Sequence, residues 1–536
     1  MGLDNYIQTA MRSILRNPIL EVLTEIKITK ILKQSNFVKR EVGYPPFQII
    51  LHFVYMLVMN KRQSTFIKNS ENAFGKDAYY RFIKESRYNW RKFLILSSAA
   101  ILQRIKPLHK NGEHRLLIID DTVEPKRGKF IEGSCKYVWS NKEHKSINAL
   151  NIVSLNYADS HSTFQVDFSI KMNDSKRKEI SEFTSKLHHR SNSYQRKSEI
   201  IKSKNTLAIE MLERALNNGV EADYLLVDSW YAKPNFIEKA NELGMPVISR
   251  LPNNKLIWNF KGKHKTMNAI YESLKNSRHK SGGQHGKISY KYFDAIIEHA
   301  VLGKIKLVFL HTGKDLLVFI STDITIAGKE IIATYKKRWN IEQGYKDLRN
   351  LFGLGKEENR IYEALIAKIT LSMFTYNIVS YINRIKHEPQ TLGELFRDLE
   401  CELETLAISM QLFIQILTKI SEIQNVVKDN KDLLNIIAVL SAYTKKQLGF
   451  MCESWVKILI YEENENIITG IEDNAGGIKV IPIEKIFEPF FTYQKLNGSG
   501  LGLFMSKLII EKNMNGELLA ENTLNGALLK IIIPQH

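Results

Sequence analysis

Two short apolar runs, each closed by aspartate, constrain this chain more than anything else in it. They are RLLIIDDT (Arg115–Thr122) and ADYLLVDSWY (Ala222–Tyr231). An aliphatic run ending in acid reads as a buried strand whose carboxylates emerge at its end. Alternating segments follow the first run (NALNIVSLNYADS, TFQVDFSIKM) and read as further strands to about Met172. A helical pattern over Ile200–Asn218 precedes the second run, and a helix and the strand MPVISRL follow it. The fold class is therefore α/β.

The rest of the chain falls around this centre. At 536 residues it is too long for one core, and two to four domains are expected. Residues 1–110 read as a helical domain dense in cations and aromatics (RFIKESRYNWRKFL). Such a segment suits either a DNA-contacting bundle or a helical domain with Trp90 and Phe93 in its core. Residues 111–250 form the first part of the α/β core. A basic, serine-rich stretch within it (SKRKEISEFTSKLHHRSNSYQRKSE) reads as a mobile loop or DNA-facing arm. Residues 251–325 carry short β-like runs with glycine-rich turns. One long helical pattern covers about Ala327–Phe352, and helices continue to about Leu448, making 326–450 the last part of this region.

Charge separates a tail from everything before it. From Met451 onward there are 7 Lys, no Arg and 11 Asp+Glu, a net −4. Of the total of +19, the first 450 residues therefore carry +23. An excess of that size favours a polyanionic partner, DNA above all. The three cysteines, Cys135, Cys401 and Cys452, form no CxxC pair, which fits a reducing cytoplasm and speaks against a disulfide framework or zinc knuckle. The apolar stretch Phe47–Met59 contains Gln48 and His52 and falls short of the roughly 20 residues a bilayer requires, so no membrane partner is expected.

The acidic strand ends and one later helix make a chemical pattern. Asp120 and Asp228 are 108 residues apart, and Glu342 lies 114 further on. Three such carboxylates suit two-metal phosphoryl transfer, in which divalent ions about 3.5–4 Å apart serve the attacking and leaving oxygens. Oxygen ligands select Mg²⁺ or Mn²⁺. An aspartate before Thr or Ser is also an ordinary turn or cap residue, so each one alone says little. At 100° per residue, Tyr335, Arg338, Glu342, Lys346 and Arg349 fall within an arc of about 80°. That face reads either as solvated ion pairs or as a metal-binding carboxylate among phosphate-binding cations.

The segment YKKRWNIEQGYKDLR (Tyr335–Arg349) resembles the Y-(2)-R-(3)-E-(6)-K signature of bacterial insertion-sequence transposases of the DDE superfamily. Tyr335, Arg338 and Glu342 match it, and Arg349 stands where the family has lysine, with Lys346 on the same face. LLIIDDT and YLLVDSWY resemble the family's two aspartate motifs. The likeness extends upstream to DAYYRF and NWR, and downstream to TLGELFRDLECELETLA and KKQLGF, about residues 1–450. The resemblance implies a ribonuclease-H-like catalytic core with an all-β insertion before the glutamate. It also implies DNA cleavage and strand transfer by a dimer on paired transposon ends, in a bacterial cytoplasm at the nucleoid. The metal ligands would be Asp120, Asp228 and Glu342, with Asp121 as the alternative first ligand. Tyr335, Arg338, Lys346 and Arg349 would bind DNA phosphates.

The tail, 451–536, has its own pattern: DNAGGI, then IFEPFFT, then GSGLGL opening a helix, then the strand ALLKIIIP. This order resembles the C-terminal half of the ATP-binding GHKL domain of sensor histidine kinases, a partial α/β sandwich. By that resemblance Asp473 would read adenine, while Gly477, Gly498, Gly500 and Gly502 would border the phosphates. Ala475 stands where the family has glycine, and Val439 where it has the Mg²⁺-holding asparagine. No histidine lies between His387 and His536 to accept phosphate. The tail thus reads as a kinase remnant with at most residual ATP binding.

Overall fold

The computed structural model describes residues 18–38, 43–61, 74–128, 131–140, 144–172, 187–252, 257–260, 263–276, 281–285, 288–313, 315–356, 359–386, 390–401, 403, 456–463, 466–473, 477–489, 491, 502–513, 515–523 and 526–534. The helices expected between 404 and 448, and the glycines Gly498 and Gly500, lie outside them. The chain divides into two compact units, Met1–Asn60 with Lys76–Arg397, and Lys61–Gly75 with Asp398–His536.

Among the described residues, the first unit opens with the helices α1 (Pro18–Glu25), α2 (Ile28–Gln34), α3 (Pro46–Val58), α4 (Lys76–Ile83) and α5 (Trp90–Ile105). The expected core reading of Trp90 and Phe93 holds. Both are buried in a cluster with Phe37, Phe82 and Tyr88, and Phe93 reaches Phe374 at 4.7 Å between ring centroids. The cations of that segment separate from the aromatics, with Arg81, Lys84, Arg87 and Lys92 exposed.

A ten-stranded sheet forms the centre. Its first strands are β1 (Leu116–Pro125), β2 (Cys135–Ser140), β3 (Lys145–Ala158) and β4 (Thr163–Lys171), with β1, β2 and β4 each pairing antiparallel with β3. After α6 (Asn192–Ser198) and α7 (Lys204–Asn217) come β5 (Tyr224–Val227), α8 (Pro234–Glu242) and β6 (Val247–Leu251). Strands β1, β5 and β6 run parallel. The order β4-β3-β1-β5-β6, with β3 antiparallel to its neighbours, is the ribonuclease-H-like arrangement. Burial on both faces explains why Leu116–Ile119 and Leu225–Val227 are uninterrupted aliphatics with no exposure.

The inserted region contains β7 (Ile257–Phe260), β8 (Lys263–Thr266), β9 (Ser281–His285), β10 (Ile288–His299), β11 (Gly303–His311) and β12 (Leu316–Ser321). One helix, α9 (Met267–Leu274), interrupts the expected all-β stretch. Strands β9–β12 continue the core sheet, because β12 pairs with β6. The expected single helix after Ala327 is two, α10 (Gly328–Lys336) and α11 (Trp339–Asn350), with the break at Lys337–Arg338.

Helix α12 (Tyr362–Ile385) is buried from Tyr362 to Ile382 and packs against α5, α3 and β4. Among the described residues it is the one helix long and apolar enough to span a bilayer, and 94% of its apolar window is buried inside the protein. It lies within the stretch expected to be helical as far as Leu448, and its burial is what the sequence did not single out. The serine-rich arm also needs correction. Its described part is largely helical, and Arg196 and Lys197 are buried instead of facing DNA.

The second unit has a four-stranded antiparallel sheet of β13 (Val456–Glu463), β14 (Asn466–Asp473), β15 (Glu517–Asn522) and β16 (Ala527–Pro534), in the order β13-β14-β16-β15. Helix α13 (Gly502–Asn513) lies on it over a small core of Phe487, Ile510 and Leu518. This is the α/β ATPase architecture the tail's sequence implies.

Candidate active site

Register brings the two aspartates together. Ile119 pairs with Val227 on the parallel strands β1 and β5, so Asp120 and Asp228 are each the next residue, on backbones about 4.8 Å apart. Asp228 begins a tight turn, and its Oδ1 accepts the amides of Trp230 (2.9 Å) and Tyr231 (3.3 Å). The Ser249 hydroxyl donates to the Val227 carbonyl at 3.0 Å and fixes the strand end from β6.

Glu342 arrives on α11, which buries Ile341, Gly344, Tyr345 and Leu348 against the sheet. Tyr345, three residues on, anchors it. Its hydroxyl lies 2.7 Å from Ser154 Oγ on β3 and donates to the Asp120 carbonyl at 3.3 Å. Arg338, at the start of α11, joins the acids: Nη1 is 2.7 Å from Asp120 Oδ2, and Nη2 is 3.0 Å from Glu342 Oε1.

Adjacent residues on a strand face opposite ways, so Asp121 has other company. Lys204 on α7 reaches its Oδ2 at 2.6 Å, and the Tyr231 hydroxyl is 3.5 Å from Oδ1. Lys204 also lies over the ring of Trp230, 5.4 Å from its centroid, and Lys233 lies over the same ring at 4.9 Å. Trp230 is about half exposed beside Asp228.

The charges are concentrated enough to shift titration. Burial pushes the Asp120 carboxyl up to about 6, with Asp228 and Asp121 adding to the rise and Arg338 opposing it. Burial also raises Asp228, and the Asp121 charge adds, against the two turn amides. Tyr335 is raised by burial, with the Arg338 charge opposing.

Of the expected phosphate-binding residues, Arg338 faces the acids, Lys346 is exposed and Tyr335 packs on Phe319 at 5.2 Å. Arg349 turns back to the protein. Its Nε donates to Glu124 Oε1 at 2.9 Å, and Nη2 contacts the Thr122 hydroxyl. Sequence reasoning did not single out Tyr345, Ser154 or Lys204. A buried-face tyrosine three residues after the glutamate was a usable signal for the first. Nothing local marks the other two.

Among the described residues, no three acidic, histidine or cysteine side chains stand close enough to hold a metal as they are. The reason is visible: the Arg338 guanidinium occupies the space between Asp120 and Glu342. The donors are all hard oxygens at rigid strand and helix positions, and a cation already sits among them. They fit Mg²⁺ or Mn²⁺ in kind once that arginine moves aside.

In the second unit, Asp473 Oδ1 accepts the Ala527 amide at 3.2 Å. Gly477 has a positive φ of 78°, and a Cβ there would lie 2.8 Å from Asn522 Oδ1, so glycine is required. Gly502 is the first residue of α13.

Comparison with known proteins finds two different family models in the chain. A family model described as a DDE superfamily endonuclease matches residues 50–273. One described as a histidine kinase-, DNA gyrase B-, and HSP90-like ATPase matches 428–535, so it begins upstream of Met451 and takes in Val439. The two-component sensor PprA of Pseudomonas aeruginosa is 45% identical over 65 residues, 12% of this chain and 7% of that protein. The signal transduction histidine-protein kinase AtoS of Escherichia coli is 30% identical over 145 residues, 27% of this chain and 20% of that protein. The chain thus spans a fifth or less of the length of these two curated relatives. The solved catalytic domain of histidine kinase ThkA is 24% identical with a TM-score of 0.15, covering 24% of this chain and 92% of that one.

Proposed function

We propose that this chain, which joins a DDE superfamily endonuclease domain to a histidine kinase-like ATPase domain, is an insertion-sequence transposase that cuts and joins DNA ends. The observation that carries the reading is the register Ile119–Val227, which sets Asp120 beside Asp228, together with the Tyr345 anchor that brings the helix of Glu342 to them.

Asp120, Asp228 and Glu342 would hold Mg²⁺ or Mn²⁺, which supplies an activated attacking oxygen and charge neutralisation at the leaving one. The strand ends keep the first two carboxylates rigid, and the turn amides leave one Asp228 oxygen uncommitted. Arg338, displaced from the acids, would be free to take a phosphate beside the cut, with exposed Lys346 on the same helix. Lys204 holds Asp121 away from the Arg338 side, which favours Asp120 as the first ligand. Trp230 and its two lysines offer an aromatic and cationic surface to the strand being cut. The +23 of the first 450 residues suits terminal repeats and target DNA bound by a homodimer at the bacterial nucleoid.

The deciding experiment is nicking of a labelled duplex carrying the element's own ends, in Mg²⁺ or EDTA, by wild type and Glu342→Gln. Nicking is expected with Mg²⁺ only, and only in the wild type. Nicking that survives Glu342→Gln would overturn the assignment of that ligand.

A second reading, a signalling ATPase, rests on the match to 428–535. We infer that the tail lacks kinase activity, because Val439 replaces the asparagine and 388–535 holds no acceptor histidine. Autophosphorylation of the full chain by labelled ATP would reverse that inference.

A further inference from the structure

Four tryptophans have side chains that the structure describes. Trp90 is buried, and the other three are exposed. Trp230 follows Asp228 by two residues and Trp339 precedes Glu342 by three, so both flank the carboxylates. Trp139, 58% exposed on β2, is the one that the carboxylate site does not explain.

Register places it. Asp120 pairs with Ser154 on β3, and Trp139 pairs with Ser146 on the same strand. Ser146 lies eight residues before Ser154, an even number, so both face the same side of the sheet. That is the side on which Tyr345 anchors α11 to Ser154, and Trp139, directly opposite Ser146, shares it. The register shift between Cys135 and Val138 adds its residue to β2 and leaves β3 regular. At about 3.3 Å per residue, Trp139 stands roughly 26 Å along β3 from the row of Asp120.

The surface between them is continuous and carries cations. Arg349 lies on Glu124, whose partner on β3 is Leu150. The loop after α11 then meets the base of the β2–β3 hairpin. There the Gly355 carbonyl accepts Lys126 Nζ at 3.0 Å, and Asn148 Nδ2 donates to the Gly128 carbonyl at 3.0 Å. Lys346 and Arg127 are exposed beside this path. Residues 126–145 hold 6 Lys+Arg and 2 Glu, a net +4. Of these acids, Glu132 is taken by the Tyr362 amide at 2.8 Å and by Lys197 at 3.4 Å, and Glu143 lies outside the described residues.

We propose that the β2–β3 hairpin is a second contact for duplex DNA, with Trp139 packed on the sugars and groove edge about eight base pairs from the phosphate at the carboxylates. That number is the span along β3 divided by about 3.4 Å per base pair. The inference rests on the nuclease reading and adds to it the course of the duplex, along α11 toward the hairpin. An indole left in water gains by covering apolar sugar surface, while cations along the way take phosphates. The positive charge of the hairpin disfavours a second copy of itself as the occupant.

The test compares two duplexes carrying the nick site, one with arms shorter than about eight base pairs and one with longer arms. Binding of the full chain is measured by gel shift in EDTA, so that nothing is cut. The preference of the wild type for the long duplex should fall about tenfold in Trp139→Ala and stay near the wild-type value in Trp139→Phe. A ratio taken within one preparation holds even where a variant folds only in part. Hydroxyl-radical footprinting of the long duplex should show protection about eight base pairs from the nick, present in the wild type and lost in Trp139→Ala. A wild type that binds neither duplex would overturn the nuclease reading, and this contact with it. A wild type that nicks DNA in Mg²⁺, with a preference for long arms unchanged in Trp139→Ala, would overturn the hairpin contact alone. An unchanged preference with a lower oligomeric state in Trp139→Ala would also overturn it, and would assign the ring to a second copy of the chain.

Discussion

Arg338 holds Asp120 at 2.7 Å while the same guanidinium reaches Glu342 at 3.0 Å, so one cation bridges the acidic strand end and the acidic helix. A divalent ion and this arginine compete for the same oxygens. Arg338→Gln should therefore bind Mg²⁺ about tenfold more tightly than the wild type in the absence of DNA, a difference of about 1.4 kcal/mol. The same variant should bind transposon ends more weakly, because its phosphate contact is gone. Calorimetry with Mg²⁺ alone checks the first effect, and unchanged Mg²⁺ affinity would show that the arginine does not guard the site.

The neighbouring aspartates separate by their partners. Asp120 faces Arg338 and Glu342, whereas Asp121 faces Lys204 and Tyr231. Asp120→Asn and Asp228→Ala should keep DNA binding and abolish cleavage. Asp121→Asn should retain measurable cleavage, reduced through loss of the Lys204 pair. Nicking assays beside gel-shift binding distinguish these outcomes, and the reverse order for Asp120 and Asp121 would exchange their roles.

Arg349 occupies the position where the family signature has lysine, and it is spent on buried Glu124 and on Thr122. Removing it leaves a carboxylate with 3% side-chain exposure short of its cation. Breaking a buried pair costs about 3–5 kcal/mol, and the 40% exposure of Arg349 itself reduces this to about 2 kcal/mol. Arg349→Ala should lower stability by that amount in urea unfolding, and Glu124→Gln with Arg349→Ala should recover part of it. A fully stable Arg349→Ala that fails only in DNA binding would restore the phosphate role.

The strand-end aspartates were legible because burial on both faces forces uninterrupted aliphatic runs, which stand out against alternating segments. Glu342 was legible through its spacing to Arg338, an i,i+4 relation that survives the helix break at Lys337–Arg338. What the sequence concealed depends on pairing between distant segments. Nothing near Ser154 or Lys204 announces a partner 191 or 83 residues away. Arg196 and Lys197 sit in a stretch as basic as any solvated arm, and what receives them comes from distant segments: Glu363 on α12 for Lys197, and the Phe168 carbonyl and ring on β4 for Arg196. The helical region that holds α12 was expected, but not its near-complete burial, because its polar residues, such as Thr370 and Asn377, find buried partners that a hydropathy pattern does not weigh.

His52 gives the clearest pH dependence. It lies buried in α3 with Nδ1 2.6 Å from the Tyr79 hydroxyl, and burial pulls its imidazole down from 6.5 to about 4. The unfolded chain therefore binds a proton between those values that the folded chain refuses. The contribution to stability is fully present above about pH 6.5 and is lost as pH falls toward 4, in total about 3 kcal/mol. Asp120, raised to about 6, acts with the opposite sign over part of that window, gaining stability as pH falls. Comparison with a variant isolates the histidine from it. Relative to His52→Gln, the wild type should lose about 3 kcal/mol between pH 6.5 and pH 4 in urea unfolding. Parallel curves for the two proteins would mean that the imidazole is protonated, or reaches water, in the folded state.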